Sequence, residues 1–417
     1  MRRRVMVDVI QEHFEELDFL WEQRERVIFA RDWNLRELAA LEERADAHLD
    51  GLRIGDEHAV NIARPGLVSD ESGAATAAAF TLLRMDNAAL AGEVARAFEE
   101  SGRDAQAGIR IALRHSDVGR VTHAVERLAA SGDALTRAAA TDVLAFHRLP
   151  RPRGLEDLLR HSDRAIRRLA YAALGRFGGP MEKDDLETAV NDDDGPLRGI
   201  ALDAAARLGF RDLSAICRDA ALGTTNATPD ALAFLGVIGD PESIDILTAR
   251  VQDVAMAAAA LAGLGCMGKV SAIPLIIEAM AEPTRTKAAG AAFVRITGAT
   301  EISSKRPLPP APGLDEDERD LRDQLFPNDP DRAASYWKKY RDRFAPEGRW
   351  QAGVDVSREP LGRAFNMLPL QIRRDVYRAE RLRNPAKTPD LELEMRASWQ
   401  LRRPQEGAWE RTITKKD

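Results

Sequence analysis

Cysteine is scarce in this chain, whose 417 residues include only Cys217 and Cys266. Two thiols give no disulfide framework and fit a reducing compartment. Aromatic residues make up 6% of the chain, which is low for a β-sandwich or barrel. No stretch approaches 18 apolar residues without a charge, so no membrane span is expected. The N-terminus also lacks the uninterrupted apolar region of a signal peptide, and we therefore expect a cytoplasmic protein.

A basic footprint is also missing, because the net charge is −7. A chain with this balance is not expected to bind nucleic acid as its main function. Hydrophobic residues account for 44% and charged residues for 30%, a normal profile for a folded protein. Much of the apolar share is alanine and leucine, which are strong helix formers and favour an all-α fold.

One motif, Leu-Gly-x-φ-Gly (φ an apolar residue), recurs along the middle of the chain. Clear copies begin at Leu174, Leu235 and Leu264. Aligning the remaining units on the same position gives eight anchors spaced 29–31 residues apart, at Leu82, Leu113, Leu144, Leu174, Ala205, Leu235, Leu264 and Val294. A period near 30 accommodates two short helices and two turns. The sequence therefore predicts an α-solenoid of about eight helix pairs.

Two further patterns share this period. The motif closes with a glycine at Gly178, Gly209, Gly239, Gly268 and Gly298, where a helix can end with a positive φ. An Asp lies eleven residues before three of the anchors, and an Arg follows it four residues later (Asp133/Arg137, Asp163/Arg167 and Asp194/Arg198). We expect each Asp to cap the second helix of its unit. Each Arg is then placed to reach an Asp of its own or the adjacent unit.

The two ends of the chain have a different character. Apolar spacing predicts a helix from about residue 5 to 30, and Asn34 to Glu37 form a capping box that opens a second helix. All six tryptophans lie outside the repeats. We predict a helical N-terminal cap (1–62), a repeat solenoid (74–300), a Pro-rich linker (301–314) and a mostly helical, Trp-containing C-terminal appendage (315–417), with the fold of 384–417 left open.

The repeats resemble HEAT repeats, in particular the short HEAT-like type of phycobilin lyases. The residues that carry the resemblance are 197–209 and 256–268, with partner helices in 241–247 and 273–277. The resemblance implies that the Arg-bearing helix lines the concave face of the solenoid. The implied partner-binding positions on that face are Arg168, Leu169, Ala172, Arg176, Gly199, Ile200, Asp203 and Arg207.

The ends resemble a more specific group. Residues 19–24 (Phe-Leu-Trp-Glu-Gln-Arg), residues 47–53 and the Trp-rich tail are similar to an uncharacterised bacterial family of HEAT-repeat proteins often encoded beside type VI secretion genes. This resemblance implies a non-enzymatic protein-binding scaffold. Its partner would be a secretion effector or a spike-tip protein, and its role that of an adaptor, a chaperone or an immunity protein. Further candidate contacts in the appendage are Trp337, Tyr340 and Trp350.

The residues that could carry chemistry have simpler explanations. His13 and His48, each near carboxylates, lack the ligand number of a metal site, and we expect helix-interface histidines with no metal or other cofactor. Arg-His-Ser-Asp occurs at 114–117 and 160–163, but adjacency in sequence does not build a catalytic triad. We predict no catalytic residue. The alternative is a HEAT-like enzyme, either a DNA glycosylase or a bilin lyase, which would need a carboxylate beside aromatic residues and, for DNA, a basic groove.

Overall fold

The computed structural model describes residues 6–85, 87–117, 119, 121–304 and 327–402. In these ranges it contains 21 α-helices and one two-stranded sheet, so the predicted all-α class is confirmed. The helices before residue 304 are α1 Val7–Val27, α2 Leu35–Gly55, α3 Glu57–Gly66, α4 Ser72–Arg84, α5 Ala88–Glu100, α6 Arg103–His115, α7 Thr122–Leu128, α8 Ala134–Phe146, α9 Leu155–Leu159, α10 Arg164–Phe177, α11 Lys183–Val190, α12 Gly195–Leu208, α13 Leu213–Leu222, α14 Thr228–Ile238, α15 Ser243–Arg250, α16 Ala257–Met267, α17 Ile273–Met280 and α18 Thr286–Thr297.

The remaining elements belong to the C-terminal part. They are α19 Pro330–Tyr340, β1 Trp350–Gln351, β2 Val354–Asp355, α20 Leu370–Arg383 and α21 Ala397–Arg402, with short 3-10 turns at Val270–Ala272, Arg341–Arg343 and Arg363–Met367. The strands are antiparallel, with Trp350 opposite Asp355. The predicted Pro-rich linker beyond residue 304 and an acidic segment expected to be helical, 315–325, lie outside the described residues.

Helices α3 to α18 form eight consecutive pairs. The second helices of the pairs (α4, α6, α8, α10, α12, α14, α16 and α18) pack on one another in sequence order, and each first helix packs on the second helix of its own pair. All eight anchors lie in the second helices. Seven of them are fully buried and Val294 is half-buried. The predicted solenoid with a thirty-residue stride is confirmed, and we call the surface of this row the second-helix face.

The two glycines of the motif have different roles. Each closing glycine has a positive φ between 65° and 76°, as the sequence predicted. The leading glycine instead allows two helices to approach each other. A Cβ on Gly236 of α14 would lie 1.9 Å from the carbonyl oxygen of Gly263 in α16. The motif therefore specifies both the end of each second helix and the close stacking of neighbouring units.

The predicted Asp caps are present. Asp133, Asp163 and Asp194 accept backbone N–H bonds at the starts of α8, α10 and α12. Two of the three arginines reach the adjacent unit: Arg167 donates to Asp192 at 2.6 Å and Arg198 to Asp230 at 2.5 Å. Arg137 differs from the prediction, because it donates to a backbone carbonyl of its own unit. This recurring arginine therefore ties only some of the units to the next one.

The N-terminal hairpin continues the core of the array. Asn34 accepts from the backbone of Glu37, and Glu37 accepts from the backbone of Asn34 at 2.7 Å, which confirms the capping box. Trp21 of α1 stacks on Phe80 of α4 with ring centroids 4.4 Å apart. The hairpin thus covers the apolar surface of the first repeat, which would otherwise be exposed to water.

The C-terminal segment, which we define as residues 349–402, folds back along the array. Its hairpin begins at the last units, where Trp350 N donates to Gly268 O at 2.8 Å. Helix α20 then packs on α12 and α14, and α21 packs on α2 of the N-terminal hairpin. At the N-terminus of α20, Leu370 N donates to Trp33 O at 2.7 Å. One segment therefore bridges the last repeats to the cap.

Candidate functional site

A cavity of about 610 Å³ opens on the second-helix face. Four successive second helices, α6, α8, α10 and α12, supply most of its lining. The remaining lining comes from Phe29, which follows α1, and from Arg374 and Glu394 of the C-terminal segment. The repeats form one side of the cavity, and residues from both ends of the chain form the other. The shape of the cavity therefore depends on the packing of the C-terminal segment and the N-terminal hairpin against the repeats.

Seven of the eight positions predicted for the concave face line this cavity. They are Arg168, Leu169, Ala172, Arg176, Ile200, Asp203 and Arg207. The eighth, Gly199, lies outside the lining, and a Cβ added there would meet nothing within 4 Å. Most of the positions implied by the resemblance therefore lie on one continuous patch, while their role in binding stays a prediction.

The C-terminal segment already occupies part of the patch. Arg176 donates to Glu392 at 2.9 Å, and Arg207 donates to the same carboxylate at 3.2 Å. Asp203 accepts from Arg378 of α20 at 2.5 Å. These contacts reduce the open surface to the side of the cavity near Arg168, Leu169, Ala172 and Ile200. Sequence reasoning missed this, although the recurrence of Arg two residues after the anchors at 174 and 205 was a visible signal.

A network of buried charges lies beneath the cavity. Arg176 donates to Asp142 at 2.6 Å and pairs with Glu394 at 2.9 Å. Burial alone would raise the pKa of the Glu392 carboxyl, yet Arg207 and Arg176 hold that pKa below its ordinary value. At Asp142 burial likewise raises the pKa, but nearby arginines, Arg176 above all, lower it by a larger amount, so the pKa is below its ordinary value. These carboxylates are therefore ionised and fixed by several donors each.

Two guanidinium groups of the lining are incompletely satisfied. Among the described residues, the one carboxylate within ion-pair distance of Arg374 is Asp203, at 3.5 Å, and the same oxygen already accepts from Arg378. Burial and the nearby Arg378 lower the pKa of Arg374, which stacks on Phe29 at 4.0 Å. The buried Nε of Arg114 has no hydrogen-bond partner in the described part of the chain. Of these two groups, Arg374 is partly exposed, so its guanidinium has unused donors for an anionic group in the cavity.

The three appendage candidates do not line the cavity. Trp337 and Trp350 pack against Phe344, with centroid distances of 5.5 and 4.7 Å, and Trp350 also donates to a backbone carbonyl. Tyr340 lies 4.7 Å from Tyr336. These aromatic residues form a cluster beside α17 and α18, the last helix pair. Their contact with a partner remains a prediction.

The sequence motifs considered for chemistry take part in ordinary packing. Asp163 of the second Arg-His-Ser-Asp motif caps α10, as predicted. His115 of the first lies between the rings of Trp21 and Phe146, at 5.3 and 5.1 Å. Both cysteines are buried, and burial raises the pKa of the Cys217 thiol to about 12. In the ranges that the structure describes, no helix is long and apolar enough to cross a bilayer.

Comparison with known protein families agrees with this geometry. A family model described as HEAT repeats matches residues 121–206, which include α7 to α11 and most of α12. A search of curated proteins finds no significant match. The matched region supplies much of the cavity lining, and the helix pairs on both sides of it continue the same stride.

Proposed function

We propose that this protein is a non-enzymatic scaffold that binds another protein at the cavity on its second-helix face. HEAT repeats commonly serve as protein-interaction scaffolds, because stacked helix pairs offer one extended surface. The observation that carries the proposal is the cavity itself, which four consecutive units line together. A partner side chain inserted into the cavity would contact residues of several repeats at the same time.

The partner is expected to present an acidic side chain to the cavity. Arg374 has one carboxylate contact, at 3.5 Å, and shares it with Arg378. A carboxylate from the partner would give the guanidinium of Arg374 a further acceptor and offset the cost of burying its charge. Phe29 would add an aromatic wall to the same subsite. This chemistry specifies an acidic surface or segment of the partner as the binding element.

The resemblance of the chain's ends to HEAT-repeat proteins encoded near type VI secretion genes supports a narrower version of the proposal. The partner would then be a secretion effector or a spike-tip protein in the cytoplasm. The scaffold would act as its adaptor or chaperone, or as an immunity protein.

The enzyme alternative would use the carboxylates of the cavity as general bases. Asp203 and Asp142 lie there, but arginines lower the pKa of both. A carboxylate whose acceptor sites are held by guanidinium groups is a weak base at neutral pH. This arrangement favours the binding function over proton transfer.

Co-purification from the native host tests the proposal. We expect the wild-type chain to recover a secretion effector or spike-tip protein, and the Arg374→Gln variant to bind that purified partner at least about tenfold more weakly, as for loss of a charge-assisted contact. The exposed Arg341 offers a matched control, and Arg341→Gln should bind as the wild type does. Recovery of neither class of partner would contradict the narrower version. Equal affinity of all three forms would contradict the cavity as the binding site.

A further inference from the structure

Two histidines that stand 35 residues apart meet between the first two helices. His13 lies on α1 and His48 on α2, and their Nδ1 atoms are 3.1 Å apart. The ring planes are inclined by 72°, and both side chains are half-buried. In the sequence each histidine had only its own neighbouring carboxylates. The folded hairpin instead joins the two imidazoles.

The separation of the two nitrogens fits coordination of one metal ion. Zinc–nitrogen bonds are about 2.0–2.1 Å long, so two nitrogens bound at roughly 100° lie about 3.1–3.2 Å apart. Imidazole also suits Cu²⁺, which binds nitrogen ligands more tightly than other divalent ions of its row. A hydrogen bond through one shared proton would give a similar distance, so an experiment has to separate the two arrangements.

Gly51 makes room for this arrangement. A Cβ added at Gly51 would lie 2.6 Å from two atoms of the His13 ring, Cδ2 and Nε2. The glycine lies almost one turn after His48 on α2, inside the helix, where glycine is unfavourable. Its missing side chain leaves a slot for the far edge of the His13 ring, and the opposite edge then faces His48.

A candidate oxygen ligand lies one helical turn from His13. Glu16 lies three residues after His13 on α1, is exposed, and interacts electrostatically with His48. In the described ranges no three His, Cys, Asp or Glu side chains already converge on one point. Rotation of Glu16 would supply the third ligand, and water would complete the coordination.

We propose that His13 and His48 form a binding site for a divalent transition-metal ion, Zn²⁺ or Cu²⁺, with Glu16 as an oxygen ligand. The ion links α1 to α2 within the cap, at a position outside the cavity of the proposed function. Binding at this site is therefore independent of whether the second-helix face has a protein partner.

Titration calorimetry of the full chain, first treated with a chelator, tests the site with ZnCl₂ and CuCl₂ as probes. We expect one equivalent of each ion to bind. His48→Gln should weaken binding by at least about tenfold, because even outer groups around a metal ligand contribute this much. Gly51→Ala should weaken it comparably, although this variant retains every ligand, because the added methyl displaces the His13 ring.

His123 and Glu126 provide the matched control. They lie three residues apart on one helix with His123 Nδ1 3.4 Å from the carboxylate, and His123 is fully exposed. His123→Gln should bind the metal as the wild type does. Circular dichroism establishes that each variant is folded. If the folded wild type binds neither ion, or if His48→Gln retains wild-type affinity, the pair is a hydrogen-bonded couple and the proposal is wrong.

Discussion

Arg176 and Glu392 lie 216 positions apart in the chain and are joined by a hydrogen bond of 2.9 Å from the guanidinium Nε to the carboxylate. Both side chains are almost completely buried. Glu392 also accepts from Arg207 of the next repeat. A single carboxylate of the C-terminal segment thus joins two consecutive units of the array.

Removal of the Glu392 charge should destabilise the protein strongly. Glu392→Gln leaves Arg176 and Arg207 buried without their shared counter-ion, which should lower the free energy of unfolding by about 3–5 kcal/mol. Urea unfolding followed by circular dichroism measures the change. The exposed Glu347 is the control, and Glu347→Gln should change stability by less than about 0.5 kcal/mol. Equal urea midpoints for the two variants would contradict a structural role of the pair.

His115 should make stability depend on pH near neutrality. Burial, Arg24 and Arg114 lower its pKa well below the ordinary value. In the unfolded chain histidine titrates near pH 6.5, so below that pH the unfolded state binds the additional proton and folding becomes less favourable. The stability is present above about pH 6.5 and decreases by up to about 1.4 kcal/mol per pH unit as the pH falls.

Urea midpoints measured between pH 7.5 and 5 test this dependence. His115→Leu should flatten the profile, although part of the slope should remain because the pKa of His147 is lowered too. The exposed His123 serves as the control, and His123→Leu should retain the wild-type slope. An unchanged slope in His115→Leu would exclude His115 as its source.

Two glycines inside second helices should respond to alanine in opposite directions. In Gly236→Ala the new Cβ would lie 1.9 Å from Gly263 O, so α14 and α16 must separate, at a cost of about 1–3 kcal/mol. Gly199 has no neighbour within 4 Å, so Gly199→Ala should stabilise the protein by about 0.5–1 kcal/mol through helix propensity. Thermal unfolding of both variants gives the comparison. A stabilised Gly236→Ala would contradict the close approach of these helices.

Alanine variants at two closing glycines distinguish the effect of backbone strain from the effect of disturbing the contact with the β-hairpin. Gly239 and Gly268 have nearly the same left-handed backbone conformation, with φ and ψ of 72° and 25° at Gly239 and of 70° and 24° at Gly268, so backbone strain from alanine costs about 1–2 kcal/mol at either position. A Cβ added at Gly268 would lie 2.5 Å from Trp350 O, whereas a Cβ added at Gly239 would have as its nearest neighbour Arg349 Nη1 at 3.4 Å. Gly268→Ala should therefore be the more destabilising change and should expose the hairpin to limited proteolysis. Equal losses of stability would show that the hairpin contact contributes nothing.

The repeats could be predicted from the sequence because their determinants are local. An anchor such as Leu174 recurs in each of the eight units and a closing glycine such as Gly178 in five of them, so the copies reinforce one signal. The return of the C-terminal segment has no such repetition. Leu391 to Leu401 fits a strand and a helix equally well by pattern, and the structure makes it an irregular stretch followed by α21.

The candidate site could likewise be predicted only in part, because some of its contacts are not encoded in the repeats. Arg176 and Asp203, which the resemblance to HEAT repeats suggested for the concave face, line the cavity, but their partners Glu392 and Arg378 come from outside the array. Contacts between residues so distant in sequence depend on the tertiary path of the chain. The meeting of His13 and His48 depended likewise on the crossing of α1 and α2.

Because the C-terminal segment is synthesised last, its packing against the earlier helices affects the order in which the protein folds. Arg24, Arg114 and Arg176 leave the ribosome early. Glu394 pairs with Arg114 and Arg176, accepts a hydrogen bond from Arg24 at its backbone carbonyl, and is translated more than 200 residues later. Until then, Arg114 lacks the carboxylate with which it pairs in the described structure, whereas Arg24 and Arg176 already have Glu42 and Asp142 as counter-ions. The nascent chain can stack its helix pairs as they emerge, but it completes its interior only after translation of the C-terminal segment.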